Sequence, residues 1–440
     1  MFARLFVPVE LLEATSDAAW LGAMLDAERA LAAAEARAGI IPASAAEAIA
    51  AACRPEAFDA EAIADAGRSA GNPAEPLVQA LREAVDDGAG RYVHWGATSQ
   101  DIVDTAAMLV ARTAIKLILG FLDDVCERCA SLADAHRSTA MAGRTLLQQA
   151  VPTTFGLKAA GWLVSLVESR RGLAYIRAER LAVQLGGAAG TLAPLEDRGA
   201  EVVRLFAEEL GLQEPAMPWH TDRTRIAELG AALDIAVRPL AKIGLDVALL
   251  AQTEVGEVAE SKAGGSSTLP HKRNPVGSAL AIACARQVEG HASVLLGSTA
   301  QEHERGVGGW QAEWPALSGA LAYAGGAAAA ARRALEGLVV DSDRMAQNLN
   351  ATGGLTAAER VSFLLSEHLG RPGAHELVSE AVERARTSGR SLTDELEGDP
   401  RVDALHTELE TALDPSTYLG SAETFVDRAL ELYRQEANRQ

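Results

Sequence analysis

Positive charge, aromatic rings and cysteine are all scarce in this 440-residue chain, and each shortage narrows what it can be. Lysine and arginine number 40 against 60 aspartate and glutamate, a formal net charge of −20. Such a surface repels nucleic acid and anionic membranes, so neither is expected as a partner. Aromatics are only 4% of residues, and runs of Val, Ile, Thr and Tyr are nearly missing, which argues against a β-rich fold. Four cysteines, Cys53, Cys126, Cys129 and Cys284, are too few for a disulfide scaffold. Cys126 and Cys129 have redox or zinc-pair spacing, but they lie in an amphipathic helical pattern with no second Cys or His pair nearby. An inert helical pair is therefore expected. The nine histidines show no His-x-x-x-His spacing, so no metal and no organic cofactor is expected. Met1 to Pro8 lacks the apolar stretch of a secretory signal, which points to the cytoplasm.

Alanine, leucine, glutamate and arginine are what the chain has in quantity. With 48% hydrophobic residues it can bury a large core, and the pattern predicts an all-α fold of two or three domains. A helix is predicted from Ser16 to Gly39 and another after Pro42. Long helices follow over 101–138, 152–184, 224–260, 276–298 and 310–337, with a kink expected at Pro239. This gives an N-terminal helical domain over 1–100, a central long-helix bundle over 101–350, and a C-terminal helical domain over 351–440, which opens at the Thr352-Gly353-Gly354 break. Trp314 to Ala331 is uncharged and long enough for a membrane span, yet its proline, serine, glycines and alanines give it little drive into lipid. It is predicted to be a buried core helix. Alanine-rich faces such as Ala327 to Ala331 suit close packing between chains, so a homo-oligomer is expected.

The densest polar cluster is the loop over 264–275, Gly264-Gly265-Ser266-Ser267-Thr268-Leu269-Pro270-His271-Lys272-Arg273-Asn274-Pro275. Its glycines free the backbone and its prolines stiffen the ends, so it reads as a mobile loop closing over an anion, against the plainer alternative of a solvated basic turn. In a chain this acidic, an anionic substrate needs local cations, and Lys272 and Arg273 supply them. Three further segments carry chemistry. Around Val93-His94-Trp95-Gly96-Ala97-Thr98-Ser99-Gln100-Asp101, Thr98 and Asp101 form a capping-box-like helix start. Its hydroxyls either bind a carboxylate or merely cap the helix. In Gly143 to Gly156, Pro152 is predicted in the first turn of a helix after an irregular bend holding Thr145, Gln148 and Gln149. Gln148 is either a structural bracket or a donor to substrate. Gln301-Glu302-His303-Glu304-Arg305, with Trp310 and Glu313 after it, has the usual look of a surface salt-bridge cluster. Gly186 to Gly190 follows a helix and lacks the lysine of a phosphate loop, so a nucleotide-binding reading is rejected.

Taken together, these segments resemble the fumarase/aspartase superfamily, whose signature loop has Gly-Ser-Ser before Met-Pro-x-Lys-x-Asn. Leu269 stands here for the usual Met, a volume-conserving change. The resemblance implies that the Thr98-Ser99, Thr145–Gln148 and Ser266–Asn274 segments come from three subunits of a homotetramer to form one site. Within the superfamily the matches are greatest to the cycloisomerases that lactonise carboxymuconate. They run through Gly71-Asn72, Pro76-Leu77-Val78, Val93 to Asp101, Gly143 to Trp162, Pro218-Trp219-His220-Thr221, Gln301 to Arg305 and Ala312-Glu313-Trp314, and weaken after about residue 350. The function implied is an intramolecular lyase of aromatic-acid breakdown acting on a small polycarboxylate through an aci-carboxylate-like intermediate. The implied catalytic residues are Ser266 as proton carrier with Lys272 and Asn274; with the family's usual paired His missing, His94, His220 or a water is left open as the acid. Those implied for substrate binding are His94, Thr98, Ser99, Thr145, Gln148, His220, Ser267, His271 and Arg305. Adenylosuccinate lyase carries a catalytic His where this chain has Leu146, and another near Asn72 or Pro73. Their loss argues against purine-nucleotide cleavage. Another carbon–nitrogen or carbon–oxygen lyase of the same fold is the alternative.

Overall fold

The computed structural model describes residues 2–85, 88–262, 264–265, 268–397 and 399–438; Ser266 and Ser267 lie outside the described residues. The chain is all-α in class, 71% helix against 5% strand. Alanine-rich sequence with few β-branched runs gives this result, because straight-chain residues lose little rotamer freedom in a helix.

The helix predicted from Ser16 runs Asp17–Arg37, with the Ser16 hydroxyl accepting from Ala19 N–H and Gly39 left-handed beyond its end. The long helices are Ser99–Ala135, Phe155–Tyr175, Thr224–Leu250, Val276–Gly297 and Gly309–Leu335. Helix continues through Pro239. Within Gly309–Leu335, Ala320, Leu321, Ala324, Ala327, Ala328 and Ala331 are buried, as expected of a core helix. Small residues let neighbours approach closely: a Cβ on Gly325 would sit 2.5 Å from Leu11 Cγ. The apolar Ser99–Ala135 helix is also long enough to cross a membrane, and 61% of its most apolar window is buried inside the structure.

Contacts divide the chain into two compact units, each assembled from separated stretches: 1–123, 168–241 and 280–331 in the first, and 124–167, 242–279 and 332–440 in the second. In the first, Asp17–Arg37 packs against the helices Ala43–Ala52 and Gly199–Leu210. In the second, the C-terminal helices close over their own apolar cluster, which includes Val361, Leu365, Leu377, Leu392, Leu396 and Leu409.

Two sequence expectations are corrected. Pro152 does not open a helix: β1 (Ala140–Thr145) and β2 (Gln148–Thr154) form an antiparallel hairpin in which Pro152 pairs with Ala142, and helix begins at Phe155. A two-stranded ribbon has free edges, so a proline costs it no ladder bond on the outer side. A bulge lies between Ala142 and Arg144, where a Cβ on Gly143 would come within 2.7 Å of Val151 O. Secondly, α-helix ends at Tyr175 and a π-helical turn, Ile176–Arg180, follows it; likewise the helix expected over 224–260 ends at Leu250. Helix therefore does not reach Gln184, and residues 181–187 are buried without it. Their polar backbone is satisfied across the chain, with Val183 N–H donating to Gln213 O and Gln184 N–H to Thr105 Oγ1.

Candidate active site

In the first unit, Asp101 gathers three distant segments. Its buried carboxylate accepts from Thr98 N–H at 2.9 Å, which is the expected capping contact. It also accepts from Gly186 N–H and Gly187 N–H, both at 2.9 Å, and from His220 Nε2 at 2.7 Å. The glycines are required here. A Cβ at Gly186 would strike the His220 ring at 2.7 Å, and one at Gly187 would lie 2.7 Å from Gly96 O. The glycine run is thus an anion cradle already filled by the protein's own carboxylate. Because Asp101 caps through the Thr98 backbone, the hydroxyls of Thr98 and Ser99 have no hydrogen-bond partner among the described residues and stand available at a helix N-terminus.

One helical turn further, Asp104 anchors a buried ionic network. Arg223 donates to it at 2.8 and 3.0 Å, and to Glu313 at 3.0 and 2.6 Å. Gln100, Gln184 and Trp310 also donate to Asp104, while Gln301 donates to Glu313. The Arg223 guanidinium lies 4.8 Å from the Trp219 ring centroid. Glu313 is held above the usual carboxylate range by burial, although Arg223 pulls it back. Gln301 and Glu313 therefore belong to a buried scaffold, not to a surface cluster. Arg223 is unannounced by any motif, and only its partners explain it.

Arg305 is oriented by this scaffold without being neutralised. It donates to Gln100 Oε1 at 3.2 Å and to the carbonyls of Gly187 and Ala188 at 3.3 and 3.0 Å. All of these partners are neutral oxygens, so a full positive charge remains for a ligand.

His94 sits in the left-handed region at φ 63°, and its Nδ1 lies 2.6 Å from Glu28 Oε1. Burial alone pushes the imidazole down, but the carboxylates of Glu28 and Asp101 outweigh it, and the net direction is up. Glu28 was not singled out by sequence reasoning. The signal was present: it falls on the apolar stripe of its helix, four residues after Met24 and three before Leu31.

The second unit holds the other candidates in two groups. Thr145 and Gln148 pair at the tip of the hairpin and are exposed. Leu146 and Leu147 between them have φ of 51° and 64°, and are 97% and 75% exposed. Arg144 fixes the base of the tip through Glu257 at 2.9 and 2.6 Å, and Asn348 donates to the same carboxylate at 2.8 Å. In the signature loop, Gly264 and Asn274 exchange backbone hydrogen bonds, both 2.9 Å, and pinch the loop closed at its neck. Buried Glu260 accepts from Gly277 N–H, Ser278 N–H and Ser278 Oγ at the start of the Val276–Gly297 helix, which anchors the neck. His271 and Lys272 are exposed on the loop. Ser266 and Ser267 fall outside the described residues.

The structure therefore gathers His94, Thr98, Ser99, His220 and Arg305 into the first unit. It assigns Thr145, Gln148, His271, Lys272 and Asn274 to the second. Residues 9–290 match the lyase family profile, and residues 354–429 match the profile of the adenylosuccinate lyase C-terminus. The chain belongs to the lyase family, within the fumarase/aspartase superfamily. The second match extends the family likeness through the C-terminal region, where sequence reading found it weakening. Among relatives of this family, nitrosuccinate lyase of Streptomyces davaonensis is 48% identical over 97% of this chain and 93% of its own length. The 3-carboxy-cis,cis-muconate cycloisomerase of Pseudomonas aeruginosa is 46% identical over 98% of this chain and 95% of its own. The solved structure of the 3-carboxy-cis,cis-muconate lactonizing enzyme from Pseudomonas putida superposes with a TM-score of 0.94 at 42% identity, over 99% of both chains.

Proposed function

We propose that this lyase-family protein is an intramolecular lyase that closes 3-carboxy-cis,cis-muconate to a carboxymuconolactone in the breakdown of aromatic acids. The observation that carries the reading is Arg305, a guanidinium held in place by neutral oxygens beside a helix start with available hydroxyls. In a chain of net charge −20, an oriented and uncompensated cation of this kind is a donor site for carboxylates. Near full-length relationship to enzymes named for this reaction supports the same reading.

The mechanism follows from charge. One substrate carboxylate adds across a conjugated double bond, and negative charge moves onto the neighbouring carbon and into its carboxylate as a dianionic aci-carboxylate. Preorganised cations and N–H donors must meet that charge, a role for Lys272, Asn274 and the Gly265 backbone. Ser266 hands a proton to the carbon, and Lys272 with loop closure in a dry site makes its oxyanion accessible. Thr98, Ser99, Thr145, Gln148, His220, Ser267, His271 and Arg305 bind the remaining carboxylates. The working form is a cytoplasmic homotetramer with sites shared between subunits, and the three-part division at about residues 100 and 350 is retained.

A second reading is β-elimination from nitrosuccinate, favoured by the 48% identity to nitrosuccinate lyase. The same carbanion chemistry serves both. Purified protein is mixed with each substrate, following the ultraviolet absorbance of carboxymuconate and the release of nitrite. Loss of absorbance without nitrite from nitrosuccinate supports lactonisation; the reverse pattern overturns it. Ser266→Ala is expected to lose about a hundredfold in turnover, and near wild-type turnover would remove the hydroxyl from the mechanism.

A further inference from the structure

Lactonisation on the reading above has a strict proton balance. A tricarboxylate becomes a dicarboxylate lactone: one carbon–oxygen bond forms, the π pair moves to the adjacent carbon, and that carbon takes up one proton. A serine hydroxyl that delivers the proton must be recharged, so the site needs a group that is protonated at working pH.

The first unit offers two imidazoles, His94 and His220, and they differ in what they leave open. His220 Nε2 is bound to Asp101, whose oxygens also take three backbone N–H groups, and Gly186 closes against the ring. His94 uses Nδ1 on Glu28 at 2.6 Å, keeps its side chain 11% exposed, and has no hydrogen-bond partner for Nε2 among the described residues. Its backbone holds a left-handed conformation that a non-glycine residue adopts at a cost, which the fold tolerates in order to aim the ring. We propose that His94 is the proton source of this site and that Glu28 is its positioning residue, holding the ring through Nδ1 so that Nε2–H faces the reaction.

The surroundings suit the role. Glu28 on the Asp17–Arg37 helix and Asp101 on the Ser99 helix favour the imidazolium; burial and Arg82, which donates to Val93 O at 3.3 Å, oppose it. Glu35, two turns along the helix from Glu28, is driven up to about 9 by burial and by Glu28, so it stays neutral near pH 7 and does not compete for the proton. The Cys53 thiol is likewise raised to about 12 by burial and Glu28, and carries no charge. After transfer, neutral His94 is reprotonated from solvent at its exposed edge.

The test uses full-length protein and carboxymuconate. Turnover should fall with rising pH as His94 loses its proton. In Glu28→Gln that alkaline limb should move down by about one pH unit with KM little changed, and Glu28→Asp should restore part of the shift. His94→Gln should lose about a hundredfold in kcat and the limb with it. Nitrogen-15 titration of the His94 ring in wild type and Glu28→Gln reads the same shift without turnover. Superimposable pH profiles, or an unchanged ring titration, overturn the inference while leaving lactonisation intact. A wild type that does not consume carboxymuconate overturns the functional reading, and the proton-source role with it.

Discussion

Two histidine–carboxylate pairs sit within one unit of this protein, at 2.7 Å for His220–Asp101 and 2.6 Å for His94–Glu28. Distance does not separate them. Saturation does. Asp101 spends both oxygens on Thr98, Gly186 and Gly187 as well as on the histidine, and so locks three segments together. Glu28 has a second oxygen, Oε2, that is buried with no partner among the described residues. A satisfied carboxylate is architecture, whereas an unsaturated one beside a strained histidine holds its cost in reserve for chemistry.

The comparison breaks most sharply at Asp101. Asp101→Ala strands three backbone N–H groups and a buried imidazole, and should cost about 3–5 kcal/mol in denaturant unfolding at fixed protein concentration. Glu28→Ala, which frees one ring nitrogen, should cost distinctly less. Equal losses would erase the distinction between the pairs.

Glu35 sharpens it. Both of its oxygens are buried without a partner among the described residues, and its folded carboxyl titrates at about 9 against an ordinary 4.5. The folded state therefore keeps a proton that the unfolded chain releases, and stability falls as pH rises through that window. Glu35→Met removes the dependence, and should be about 4 kcal/mol more stabilising at pH 8 than at pH 5. Parallel pH–stability curves for the two proteins would count against the burial of a neutral acid.

The smallest effect is expected at the hairpin tip, where Leu146 and Leu147 are exposed as well as left-handed. A two-residue loop with both φ positive favours Asn-Gly. Leu146→Asn combined with Leu147→Gly should raise the melting point, by about 1 kcal/mol of relieved strain. A lower melting point would mean that the leucines are covered in the working assembly.

Much of this was legible in advance. Alanine-rich amphipathic runs bounded by Ser16 and Gly39, or by Thr98 and Asp101, gave helices whose ends lie within a few residues of expectation, because caps and apolar periodicity are local signals. The hairpin was missed because Pro152 is a strong helix-start residue, and its strand is recognisable only once its partner Ala142 is known. Arg223, Glu257 and Glu260 were missed for a related reason: each is buried by partners well beyond helical spacing, from 17 to 119 residues away, and no motif along the chain announces them.

The sequence by itself determined the helical class and the family, since composition and motif act over short distances. Tertiary structure alone decided which polar residues are locked and which are left open. Asp101 and Glu28 look alike in a sequence, and only the groups brought to each from elsewhere in the chain set how many of their lone pairs are spent.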